Sequence, residues 1–271
     1  MALADVSQLI NGFVPYPSDL CKDPVTAKAA GIWHSGWYQT GAPGAGAAPG
    51  GALNGAIFTG PLAGQVAIPA TVAGKTIYLA RLEVSQAGNI GTVALVDRLW
   101  GNVPVVTTTT LQAIVSPAWP ARDALLSIAG ERVRLALECS VATTNAGAIT
   151  NTTVSYTNSA GTAGRTATLA SFPATAPAGT WVEFALQAGD TGVQSVQSIT
   201  LGTSYVTGQV NLIAFRLAAR MPMPVTNTGV DRDAFQLGLP VIPNAAVLCP
   251  LWLPQGTALG AVTGAVNFCQ Y

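Results

Sequence analysis

The sequence predicts an all-β protein: a β-sandwich of jelly-roll type preceded by an extended Gly/Pro-rich N-terminal arm. Three observations carry this. From residue 76 onward apolar and polar side chains alternate in short runs, with Gly, Pro, Asn or Asp between nearly all of them, the pattern of half-buried strands joined by turns. No stretch sustains a convincing amphipathic helical period. Charged residues make up only 9% of the 271, against a usual ~25%, and Thr, Val, Ala and Gly fill their place, of which the β-branched pair suits a pleated surface.

Residues 1–75 are rich in Gly, Pro and Ala and lack periodicity, with TGAPGAGAAPGGALNG (40–55) the extreme case. Such a segment buries too little by itself to offset backbone ordering, which costs ~1–2 kcal/mol per residue. It reads as an arm fixed by neighbours, dispensable for folding of the domain behind it. Phe13, Tyr16, Trp33, Trp37 and Tyr38 lie in its two apolar patches and are the expected interface residues, since large aromatic surfaces dock well on a partner.

The domain is expected over 76–271. TIYLARLEV (76–84) places Tyr78, Ala80, Leu82 and Val84 on one face, and TVALVDRLW (92–100) follows after an AGNIG turn. At 121–137 Ala121, Leu125 and Ile128 could share a helical face, but Gly130 and the alternation of ERVRLALECSV leave at most a short helix. TTVSYTN, RTATLASF, TWVEFALQ, VQSITLG and QVNLIAFRL continue the series, and AAVLCPLWL and AVNFCQY return to the sandwich. No fixed-period repeat is present, which counts against propellers, solenoids and repeat-built fibre shafts.

Charge narrows the function. Twelve Lys+Arg balance twelve Asp+Glu, so there is no basic stripe for nucleic acid and no polybasic membrane anchor. No apolar run reaches the roughly 18 residues of a membrane helix. The opening MALADVSQLINGF does not read as a secretory signal, and folding in a cytoplasm is expected. So neutral an exterior suggests that much of it is covered by copies of the chain or by a partner.

Catalytic and metal chemistry find weak support. Cys21, Cys139, Cys249 and Cys269 form no CxxC pair, and buried free thiols are the simpler reading. His34, the sole histidine, sits between Trp33 and Trp37 in the arm, a poor platform for nucleophilic catalysis. Asp231 and Asp233 could act as paired carboxylates on a sugar, but a solvated loop is the simpler reading and calcium binding the second. Asp97 beside Arg98, and Asp123 beside Arg122, read as ion pairs. The glycine run lacks the GK[ST] ending of a phosphate loop. The six tryptophans read as core or interface anchors. No catalytic, cofactor or metal residue is assigned.

The phrases ALVDRLWGN, SPAWPARDA, SVATTNAGAITNTTVSYTNSAGTAGRTAT, QAGDTGVQSVQSITLGTSY and NLIAFRLAA resemble segments of a family of tailed-bacteriophage virion structural proteins. The likeness spans about residues 76–220 in scattered phrases. It implies a non-enzymatic virion part, similar to head decoration or cement proteins that bind an assembled shell, without catalytic residues or cofactors. The expected partners are capsid or other virion proteins and further copies of the chain, a trimer above other symmetries. The alternatives are a tail, baseplate or fibre component that binds host glycans and, third, a depolymerase.

Overall fold

The computed structural model describes residues 5–23, 28–257 and 260–271. Residues 1–4 and 24–27 of the expected arm lie outside the described residues. The fold is all-β. A short helix α1 (Val6–Gly12) precedes β1 (Ser18–Asp23), β2 (Trp33–Ser35), β3 (Thr40–Ala42) and β4 (Ala56–Ile57). Next come β5 (Ile77–Gln86), β6 (Gly91–Gly101), β7 (Gln112–Ala113), β8 (Val133–Val141), β9 (Ile149–Asn158), β10 (Arg165–Phe172), β11 (Thr180–Glu183) and β12 (Val193–Thr200). The chain ends with β13 (Gln209–Met223), β14 (Val230–Arg232), helix α2 (Ala234–Leu237), β15 (Leu248–Pro254) and β16 (Val262–Gln270). Each of the ten runs read as strands from alternation contains a strand, although TWVEFALQ is strand only over Thr180–Glu183, and none of 121–131 is helical. Among the described residues no helix is long and apolar enough to cross a membrane.

The chain divides into two compact units. The first comprises the described residues of Met1–Ala47, Thr59–Asp97 and Ala218–Tyr271; the second comprises Ala48–Phe58 and Arg98–Leu217. Strands β6 and β13 each contribute residues to both.

In the first unit a five-stranded sheet runs in the order β14-β5-β16-β1-β3. Its antiparallel register places Ser18 opposite Val266 and Val84 opposite Gly264. A second ladder joins β2, β15 and the first part of β6, with Trp252 opposite both His34 and Val93. The core collects Leu20, Leu79, Leu82, Val266 and Phe268 from the five-stranded sheet, and Val93, Leu95, Leu248 and Trp252 from the second ladder. This is sheet-on-sheet packing, with alternate side chains of each strand directed inward.

The second unit repeats the plan. A four-stranded sheet runs β10-β9-β12-β7. Against it lies the β13-β8-β11 ladder, in which Glu138 faces Asn211 on one side and Trp181 on the other. Val154, Tyr156, Leu169, Phe172 and Ile199 meet Leu135, Leu137, Cys139, Leu212 and Trp100 in one buried cluster. Cys139 is a core residue, as the alternation of its strand implied.

The expected division into an arm over 1–75 and a single sandwich over 76–271 is not the one observed. There are two sandwich units, and β1, β2 and β3 are structural strands of the first. Strand β1 fills the gap between β16 and β3, partners that sequence order hides. The glycine run is not an extended arm either. Trp37 is buried, donates from Nε1 to the Ala47 carbonyl at 2.7 Å, and receives Gly46 so closely that a Cβ there would run into the indole. Gly55, at φ +71, lies against Trp100 in the second unit in the same way. Small residues let the backbone wrap each indole, so this composition is the counterpart of buried tryptophan.

Candidate functional site

The aromatic residues expected at an interface separate. Tyr16 and Phe13 are exposed, and Trp33 and Tyr38 are half-buried. Trp33 carries the Arg220 guanidinium over its ring at 5.5 Å. Trp37 is a correction: it is a core side chain of the first unit, walled in by Gly46 and Gly64, and presents no surface to a partner. Trp100, Trp119, Trp181 and Trp252 are fully buried as well.

Two surface features stand out, one in each unit. On the first, a groove of about 410 Å³ opens between the two helices. Leu9, Ile10 and Phe13 from α1 and its C-terminal edge form one wall, and Asp233, Ala234 and Phe235 form the other. Ala80 and Arg81 of β5 form the floor. Helix α1 starts at Asp5, whose side chain accepts from the Gln8 amide, and is anchored where the Val14 amide donates to the Phe268 carbonyl at 2.9 Å. Helix α2 starts in a capping box between Asp233 and Gln236 and ends on Gly238 in the left-handed conformation. Ile10 is 68% and Phe235 69% exposed, large values for apolar side chains held by capped backbone.

On the second unit the loop between Trp119 and β8 displays Leu125 (72% exposed), Leu126 (46%) and Ile128 (55%). The loop is braced from within by Asp123, which is fully buried. Its carboxylate accepts from the amides of Leu125 (2.9 Å), Ser127 (2.7 Å) and Glu131 (2.9 Å), and from the Ser127 hydroxyl (2.8 Å). Burial pushes the Asp123 pKa up, and these hydrogen bonds more than offset it, holding the group below the ordinary carboxylate range. Leu126 sits at φ +57, a left-handed conformation that a leucine keeps only where its surroundings impose it.

The charged residues singled out from sequence serve other ends. Asp97 accepts from the Val247 amide at 2.8 Å, whereas Arg98 pairs with Glu138. Arg122 donates to the carbonyls of Phe58 and Arg98. Asp231 pairs with Arg81 at 3.0 Å, and Asp233 caps α2. The two carboxylates are thus committed separately, and among the described residues no cluster of His, Cys, Asp and Glu forms a metal-binding group.

His34 is fully buried and donates from Nε2 to the Ala29 carbonyl at 3.2 Å. Burial, with a smaller contribution from Lys28, lowers its pKa to about 4. Lys22 is also buried, its ammonium held by the carbonyls of Gln39, Pro43 and Gly44 at 3.2, 2.6 and 3.1 Å, and burial lowers its pKa. In the Thr/Asn/Gly-rich hairpin, Asp190 collects Arg165 at 2.9 and 3.0 Å, Asn158 at 2.7 Å and the Tyr156 hydroxyl. Arg165 above all holds its pKa down at about 2. This network ties the β9–β10 hairpin to the turn before β12, which explains why so uncharged a stretch keeps its one arginine.

No protein-family model matches the sequence, and no curated protein matches it. Among solved structures the chain is similar to one in the structure of infectious bursal disease virus Gt strain, at 11% identity and a TM-score of 0.18, over 96% of this chain and 81% of that one. It is similar also to one in the infectious bursal disease virus VP2 subviral particle, at 10% identity and a TM-score of 0.19, over 94% and 80%. At TM-scores this low the likeness establishes no shared fold and adds nothing to the functional reading.

Proposed function

We propose that this chain is a non-enzymatic structural protein of a bacteriophage virion, and that its place is on the head, as a decoration or cement protein that binds and stabilises the assembled shell. The observation that carries the reading is the display of large apolar side chains on rigid backbone over a nearly uncharged exterior. Leu125, Leu126 and Ile128 stand on a loop braced by Asp123, and Ile10 and Phe235 stand on capped helices. A soluble monomer rarely keeps such patches unless they meet a partner. Because the backbone that carries these side chains is already held, association orders little of it, and apolar contacts are not screened by salt as ion pairs are.

The sequence likeness to tailed-phage virion proteins supports the same reading. The test mixes purified chain with emptied heads, and separately with isolated tails, of the phage that encodes it. Saturable co-sedimentation with heads is expected. Binding to tails in place of heads would transfer the protein to the tail, and binding to neither would overturn a virion role.

A further inference from the structure

We propose that the first unit offers the groove between its two helices, together with the acidic sheet face beside it, as the docking site of a basic segment of another protein, one that carries large apolar side chains next to lysine or arginine. The inference goes beyond the virion reading and does not rest on it, since every residue in the argument belongs to one unit.

The groove suits the apolar half of such a partner. Ile10 and Phe235 stand on opposite walls at 68% and 69% exposure. Where an apolar space of ~150 Å³ holds one benzene-sized group, about 410 Å³ holds roughly two or three. Both walls are carried by capped helices, so the groove is formed before a partner arrives.

The sheet face suits the basic half. Strand pairing sets Asp231 opposite Glu83, Glu83 opposite Ala265, and Ala265 opposite Asp19. Directly paired residues point to the same side, so three carboxylates stand in one row across β14, β5, β16 and β1. Like charges set directly opposite, as Asp231 and Glu83 are, repel each other. Arg81 on the groove floor answers both, with Nε 3.0 Å from Asp231 and Nη2 3.2 Å from Glu83. Asp233 on the groove wall adds a fourth carboxylate. Four acids against one base leave a clear negative surplus here, on a chain whose acids and bases cancel at twelve each. The neighbouring row of Ser85, Thr263, Cys21 and Ala42 brings no base. Lys22 and Arg232 alternate with these outward positions and belong to the other side of their strands. A docked lysine or arginine therefore meets unneutralised carboxylate, whereas an acidic segment would add like charge.

Titration of the isotope-labelled full chain with short synthetic peptides, followed by amide chemical shifts, tests both halves. A peptide with leucine and phenylalanine set among lysines and arginines should shift the amides of residues 9–13, Arg81 and 234–236 saturably, and more weakly as salt is raised. The matched peptide with glutamate for every base, and the one with serine for every leucine and phenylalanine, should each bind at least about tenfold more weakly. Phe235→Ser, which leaves the cap between Asp233 and Gln236 in place, should weaken the basic apolar peptide at least about tenfold. E83Q/D231N should weaken it about twofold to fivefold for each carboxylate lost. Asp19→Asn, at an exposed position outside the helices, serves if either variant misfolds by circular dichroism. A basic apolar peptide that leaves these amides unmoved, a glutamate or serine peptide that binds as tightly, or variants that bind like the wild type would each overturn the proposal.

Discussion

Arg98 and Glu138 meet inside the second unit as a bidentate ion pair, two guanidinium nitrogens on two carboxylate oxygens at 2.9 and 2.7 Å, with neither side chain exposed. The Arg98 guanidinium also lies 4.9 Å from the centre of the Phe58 ring and 5.9 Å from that of Trp181. In a chain with so few charges, a pair placed here fixes where Arg98 of β6 sits against Glu138 of β8. Removing one partner strands the other in an apolar interior, whereas removing both does not. Arg98→Met or Glu138→Leu alone should cost about 3–5 kcal/mol, and the double variant should recover most of that loss. Urea denaturation of the three variants checks the coupling.

His34 makes stability depend on pH. Its folded-state pKa is about 4 against 6.5 for the free side chain, so the unfolded chain takes up a proton over that interval and the folded chain does not. Stability should therefore be full above pH 6.5, fall by about 3 kcal/mol as the pH drops from 6.5 to 4, and change little more from this group below that. In His34→Gln the slope between those pH values should flatten. Thermal unfolding of both proteins across the interval measures it.

The Asp123 brace is open to a local test. In Asp123→Ala the amides of Leu125, Ser127 and Glu131 lose their acceptor, which should cost about 1–3 kcal/mol. Hydrogen exchange should become fast across 124–131 while the β8 amides stay protected. Asp123→Asn keeps one carbonyl acceptor and should lose less.

The N-terminal segment should prove structural. Deleting residues 1–60 removes β1, which pairs with β16 from Ser18↔Val266 to Lys22↔Val262, so the truncated chain should fail to fold its first unit. At a single position, Gly46→Val would drive a side chain into the Trp37 indole and should destabilise by about 1–3 kcal/mol. Calorimetry on both variants tests whether this segment is an arm or part of the scaffold.

What could be read from sequence depended on length and on locality. RTATLASF was legible because eight alternating residues carry their own period, and it is β10 without adjustment. Strands β2, β3, β4 and β7 have only two or three residues and are defined by partners far along the chain, which leaves no periodic trace. Both helices carry local signals. Asp5 precedes Val6, Leu9 and Ile10 at helical spacing, and Asp233 precedes Gln236 as a capping box. Since these helices wall the groove, missing them hid the groove. The Arg98–Glu138 pair was out of reach for another reason: it is set by where β6 and β8 lie in the folded second unit, and alternation fixes a strand's faces but not its neighbours. Asp123 carried no signal, because a carboxylate that braces its own loop looks in sequence like any acid beside a base.

The proposed virion role is tested most directly by the copy number of this chain in purified particles of the phage to which the proposal assigns it, by quantitative mass spectrometry against the major shell protein. A structural role on the head requires many copies per particle, in a fixed ratio to the shell subunit, retained through density-gradient purification and lost from tails separated from heads. Particles that carry none of the chain, and are as infectious and heat-stable as any others, would contradict it.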